Sequence, residues 1–113
     1  MIVRQAHFIG RVRAGQEEAF YAGVRQVLMP MWQRFPGLTK VEVLFPESAD
    51  AGALPIALSL LMHFRDEAGL AEALGSEIRM TSRRATEDLL KLFDGHVEHH
   101  VFTLEAANAA AAG

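Results

Sequence analysis

The stretch "PIALSLLMHF", Pro55 to Phe64, constrains the fold more than any other part of the chain. Side chains alternate across a strand, so Ile56, Leu58, Leu60, Met62 and Phe64 form one unbroken apolar row. Ala57, Ser59, Leu61, His63 and Arg65 form the other. Five bulky apolar side chains in a row demand a covering layer, because leaving them in water is unfavourable. The opposite row is mixed. Such a strand belongs inside a sheet that helices cover on one face and leave open on the other.

The remaining segments supply both layers. "IVRQAHFIGRV" alternates roughly, is rich in β-branched and aromatic residues, and stops at "RAG", so it reads as the first strand. In "QEEAFYAGVRQVLMPMWQRF" the period changes: Phe20, Val24, Val27 or Leu28, and Met31 recur at helical spacing. Glu17 and Glu18 suit the positive end of the helix dipole. Pro30 is expected to kink or end this helix, because it lacks an amide proton and its ring clashes one turn back. "LTKVEVLFP" alternates again, with Val41, Val43 and Phe45 assigned to the covered side, and "ESADAGAL" is a loop by composition. Asp66 can cap "EAGLAEAL", and Ser76 can cap "EIRMTSRRATEDLLKLF", whose inner stripe is Ile78, Ser82, Ala85, Leu89 and Leu92. Asp94-Gly95 breaks that helix and starts the last strand.

The order is β-α-β-β-α-β, with the second helical segment broken near Gly75. It predicts an α+β, ferredoxin-like domain: a four-stranded antiparallel sheet with the helices on one face. Residues 1–105 form this single domain, and residues 106–113 are a low-complexity tail to which no function is assigned.

Composition narrows the function classes. The 113 residues carry a net charge of −3 and no basic run, which argues against a nucleic-acid partner, since phosphate binding needs clustered Lys and Arg. There is no cysteine, so disulfides, thiolate nucleophiles and Cys-ligated metals are excluded. The N-terminal "MIVRQAHFIGRV" is interrupted by Arg4 and His7, unlike a signal peptide, and no apolar run is long enough to span a membrane. The expectation is a cytoplasmic protein without a membrane partner. Phosphate-binding Gly-rich loops are absent.

Face by face, His7 and Gln5 fall on the open side of the first strand, opposite Phe8. In the third strand Ser59 and His63 fall there too. The last strand, "DGHVEHHVFTL", places His96, Glu98, His100 and Phe102 on the open side and His99 on the covered side between Val97 and Val101. Four of the five histidines thus share the open face. Leu44, Leu61, Ile9, Val3 and Phe102 share it with them, and so many large apolar groups imply a partner surface. A second copy packed sheet against sheet is the economical one, so a homodimer through this face is expected.

Three stretches carry a resemblance to a known family. "FYAGVRQVLMPMWQRFPGLTKVEVLF", "LSLLMHFRDEAGLAEALGSE" and "FDGHVEHHVFTL" are similar to the first helix, third strand and closing strand of the EthD-like family, within the dimeric α/β barrel group. The resemblance implies a ferredoxin-like dimer of small-molecule catabolism that binds a small apolar or aromatic ligand. Many family members carry His-x-Pro where this chain has Leu28-Met29-Pro30, so no role passes to a histidine there. The wider group includes cofactor-free oxygenases that use Asn, His and Trp around an apolar pocket. Here the one Asn is Asn108 in the tail and the one Trp is Trp32.

Candidate site residues follow. Histidine titrates near neutrality, so His7, His63 and His100 are the candidate catalytic residues for proton or oxygen chemistry of a cofactor-free monooxygenase or isomerase type. Gln5, Ser59, Glu98 and Trp32 are candidate ligand-binding residues. His96, Glu98 and His100 make a two-His, one-carboxylate set, but the outer two lie roughly 13 Å apart along a straight strand. No metal site is assigned and no cofactor is expected. The competing class is a non-catalytic binding or accessory dimer whose histidines are structural. A ligand site beneath the helices would instead be lined by Phe8, Val43, Met62, His99 and Trp32.

Overall fold

The computed structural model describes residues 1–108; part of the low-complexity tail, residues 109–113, lies outside it. Strands β1 (Ile2–Val12), β2 (Leu38–Leu44), β3 (Ile56–Phe64) and β4 (Phe93–Thr103) form one antiparallel sheet in the order β2-β3-β1-β4. The helices are α1 (Glu17–Gly23), α2 (Met29–Trp32), α3 (Glu67–Leu74) and α4 (Glu77–Leu89), and a 3₁₀ turn at Leu90–Leu92 leads into β4. This is the ferredoxin-like β-α-β-β-α-β arrangement expected from the sequence. Among the described residues no helix is long and apolar enough to cross a membrane.

The covered row of β3 makes the core: Leu58, Leu60, Met62 and Phe64 are buried together with Ala6 and Phe8 of β1. Ile56 departs from the expected row. The β1–β3 register shifts between Phe8 and Ile9, pairing Ile9 with Ile56 and leaving Ala57 as the extra residue of a bulge. Ala57 therefore enters the core while Ile56 is exposed. Tyr21 fixes the bulge by donating its hydroxyl to the Ala57 carbonyl at 2.8 Å. Phe45 lies just past the end of β2, partly exposed, stacked edge-on with Tyr21 and capped by the Arg25 guanidinium 4.8 Å from its ring centre.

Pro30 does not end its helix. Residues Val24–Leu28 form a π turn between α1 and α2, and the chain stays helical to Trp32. The buried residues Phe20, Val24, Leu28 and Trp32 recur every four positions. On a regular α-helix that spacing drifts about 40° per step away from the core. The wider π turn cancels part of this drift and opens room for the proline ring. Val27, one of two alternatives for the stripe, is exposed, whereas Leu28 is buried. The break at Gly75 and both caps are as expected: Asp66 Oδ1 accepts from the Gly69 amide at 2.9 Å and Ser76 Oγ from the Arg79 amide at 3.3 Å.

Gly10 and Gly95 face each other across β1 and β4, both with positive φ. A Cβ on either would strike backbone of the opposite strand, so this close approach requires glycine at both positions.

Candidate functional site

Two regions gather polar side chains, one on each side of the sheet. On the open face the register stacks Val3 between His63 and Phe102, Gln5 between Leu61 and His100, and His7 between Ser59 and Glu98. β2 adds Lys40 beside His63, Glu42 beside Leu61 and Leu44 beside Ser59. His7, His63, His96 and His100 therefore form a band across β4, β1 and β3.

Each histidine of the band already has a polar neighbour. The Ser59 hydroxyl donates to His7 Nδ1 at 2.7 Å, and His7 Nε2 donates to Gln5 Oε1 at 3.0 Å. Because an amide oxygen only accepts, the Gln5 contact places the proton on Nε2. His63 Nε2 donates to Glu42 Oε1 at 2.7 Å. That bond, with Lys40 Nζ at 3.4 Å, holds the Glu42 carboxyl below the usual carboxylate range. Glu98 sits between His96 at 3.3 Å and His100 at 3.7 Å. The His100 ring lies 5.9 Å from that of His7 and stacks on Phe102 at 6.0 Å. Among the described residues no three His, Asp or Glu side chains converge as a metal-binding set.

On the other side, between the sheet and the helices, a cleft of about 300 Å³ opens. Its sheet floor is Arg4, Ala6 and Phe8 of β1, Leu60 and Met62 of β3, and Val97 and His99 of β4. Trp32 and Phe35 close one side, and Arg79, Ser82, Arg83, Thr86 and Glu87 of α4 with Leu90 form the wall. Of the five residues expected for a site beneath the helices, Phe8, Met62, His99 and Trp32 line this cleft; Val43 does not. His7, His63, His100, Gln5, Ser59 and Glu98 lie across the sheet from it, so Trp32 is the one candidate ligand-binding residue that reaches it.

The cleft carries polar groups that the sequence reading left out. Arg4 sits in the covered row of β1, where its cross-strand neighbours are Met62 and Val101. Arg79 and Arg83 project from one face of α4. The signal for them was present: an arginine in a core-facing strand row, and two more at i and i+4 on a helix crossing it. The Ser82 and Thr86 hydroxyls donate back to their own helix, to the carbonyls of Arg79 at 2.9 Å and Ser82 at 2.8 Å.

His99 is held neutral here. Partial burial and the guanidinium charges of Arg4, Arg79 and Arg83 push its pKa down to about 4. A histidine with a depressed folded pKa favours the fold above its unfolded pKa near 6.5, and that contribution is lost as pH falls from there toward 4. Proton-exchange NMR should therefore show the His99 ring titrating near pH 4, with an upward move in Arg79→Gln. A midpoint near 6.5 would mean the arginines do not crowd it.

A one-sided sheet in this strand order, with a bulged central pair and a cleft under its helices, defines a ferredoxin-like α+β domain. The fold is similar to that of an ethyl tert-butyl ether D (EthD) family protein from Bacillus halodurans C-125, with a TM-score of 0.70 at 16% identity over 92% of this chain and 99% of that one. It is also similar to a dimeric protein of unknown function and ferredoxin-like fold from Bacteroides fragilis NCTC 9343 (TM-score 0.64, 10% identity, 91% and 95% covered). A third likeness is to a variant of a cofactor-independent oxygenase from Streptomyces nogalater (TM-score 0.64, 16% identity, 94% of each chain covered). No protein-family model and no curated protein matches the chain. The EthD-like resemblance read from the sequence thus extends to the fold.

Proposed function

We propose that this is an EthD-like protein of small-molecule catabolism, working as a homodimer and binding a small apolar or aromatic compound beneath its helices. The cleft carries the reading. Its volume of about 300 Å³ is that of a small-ligand pocket, and it combines aromatic walls from Phe8, Trp32 and Phe35 with a few convergent polar groups. The dimer rests on the open face, where Leu44 and Phe102 stay about half exposed beside Leu61 and Ile9. A protein of similar fold is described as dimeric. In this arrangement His7, His63 and His100 face the second copy; the bonds of His7 to Ser59 and Gln5, that of His63 to Glu42 and the approach of His100 to Glu98 order the interface.

A second reading is favoured by the Ser59–His7–Gln5 chain, in which His7 holds an acceptor nitrogen 2.7 Å from a hydroxyl. It assigns cofactor-free proton or oxygen chemistry to His7, His63 and His100, with Gln5, Ser59 and Glu98 contacting substrate between the two sheets. Amide NMR with p-cresol and cinnamamide as probes separates the two. Shifts confined to Ala6, Leu60 and Val97 are expected. Shifts at His7, Ser59 and Leu61 that vanish in His7→Ala would favour the second reading, and no shift at either place would reject both.

A further inference from the structure

The cleft has an imbalance of charge that apolar binding leaves unexplained. Three guanidinium groups and one carboxylate line it, and the carboxylate, Glu87, is already 3.9 Å from Arg83. Arg4 and Arg79 have no carboxylate within ion-pair distance among the described residues. Arg79 makes one neutral contact, from Nη1 to the Leu74 carbonyl at 3.3 Å.

Arg4 is the stronger anomaly. It is half-buried on the covered side of β1, flanked across the strands by Met62 and Val101, neither of which offers a counter-charge. Burial and the nearby Arg79 both lower its pKa. A partly desolvated cation facing another cation is unfavourable unless an anion completes the set. No buried side-chain nitrogen or oxygen lacks a hydrogen-bond partner among the described residues, so the guanidinium atoms reach open cleft space. An anion that paired with Arg4 would therefore do so from the cleft, which Arg4 lines.

We propose that the cleft selects small amphipathic carboxylates, the apolar body lying along Phe8, Trp32 and Met62 and the carboxylate held by Arg4 and Arg79. This rests on the cleft being the ligand site, as proposed above, and adds the chemical class. A guanidinium fork matches a carboxylate in two parallel hydrogen bonds, which makes arginine the suitable residue type. His99 complements the pair: neutral, it can donate one N–H to the anion without adding further charge repulsion to Arg4.

The test compares trans-cinnamate with cinnamamide, which have nearly the same shape and differ in charge, using the full-length protein and NMR titration. Cinnamate is expected to bind at least about tenfold more tightly, with the preference shrinking as salt is raised. Arg79→Gln, on a helix surface, should weaken cinnamate by at least about fivefold and leave cinnamamide within about twofold. Arg4→Gln, checked for an unchanged amide spectrum away from the cleft, should do the same. Equal affinity for the two probes at the cleft would overturn the carboxylate proposal and leave apolar binding standing. Failure of both probes to shift cleft resonances would overturn both. Unchanged cinnamate affinity in the two arginine variants would also overturn the proposal.

Discussion

Leu61→Lys is expected to convert the proposed homodimer to a monomer without unfolding it. Leu61 lies in the middle of the open face, beside Gln5 on β1 and Glu42 on β2. In a free protomer the new ammonium sits directly across from the Glu42 carboxylate, a favourable cross-strand pair, and remains in water. At a sheet-to-sheet interface the same charge must be desolvated, and symmetry buries it twice. Burying one poorly compensated charge costs about 3–5 kcal/mol, so the dissociation constant should rise by at least about a hundredfold. Sedimentation at a concentration where the parent is dimeric should give a single species of half the mass, with an unchanged far-UV spectrum. A variant that stays dimeric would move the interface off this face, and with it the structural reading of His7, His63 and His100.

The sheet was legible because its signals are local. The apolar row of β3, the Asp66 and Ser76 caps, and the alternation that splits His99 from His96 and His100 depend only on neighbouring residues. Register was not: nothing in "PIALSL" announces that Ala57 forms a bulge and turns Ile56 outward, since a bulge is set by pairing with β1. Pro30 shows a related limit, because the sequence leaves open whether it distorts the helix or ends it. A proline rule treats the helix as isolated, whereas here burial of Phe20, Val24, Leu28 and Trp32 favours a π turn that absorbs it.

The cleft is less legible in the sequence than the histidine band, because its arginines come together only through tertiary structure. "SRR" looks like a solvated helix face, and Arg84 is indeed exposed. Arg79 and Arg83 nevertheless meet Arg4 over the cleft, a long-range coincidence of β1 with α4. One residue carried the clue: Arg4 occupies the same strand row as Ala6 and Phe8, where a charge has no business unless the row borders a cavity.

Phe20→Ala should produce the largest loss of stability of any single substitution considered. Phe20 is fully buried. Its ring stacks on Phe93 at 5.6 Å and meets Tyr21 at 5.2 Å and Phe8 at 6.3 Å edge-on. It therefore joins α1 to the start of β4 and to the cleft floor on β1. Removing a core phenyl ring costs about 3–5 kcal/mol through lost transfer energy and the cavity left behind. Typical domains have only about 5–15 kcal/mol in total, so a large part of the margin disappears. Urea unfolding should show a much lower midpoint at an unchanged slope, whereas Met80→Ala, at an exposed position on α4, should stay within about 0.5 kcal/mol of the parent. Phe20→Leu should recover part of the loss, since it keeps much of the volume but gives up the aromatic pairing, about 0.5–1.5 kcal/mol for each pair. If Phe20→Ala cost no more than Met80→Ala, the aromatic cluster would not be what fixes α1 on the sheet.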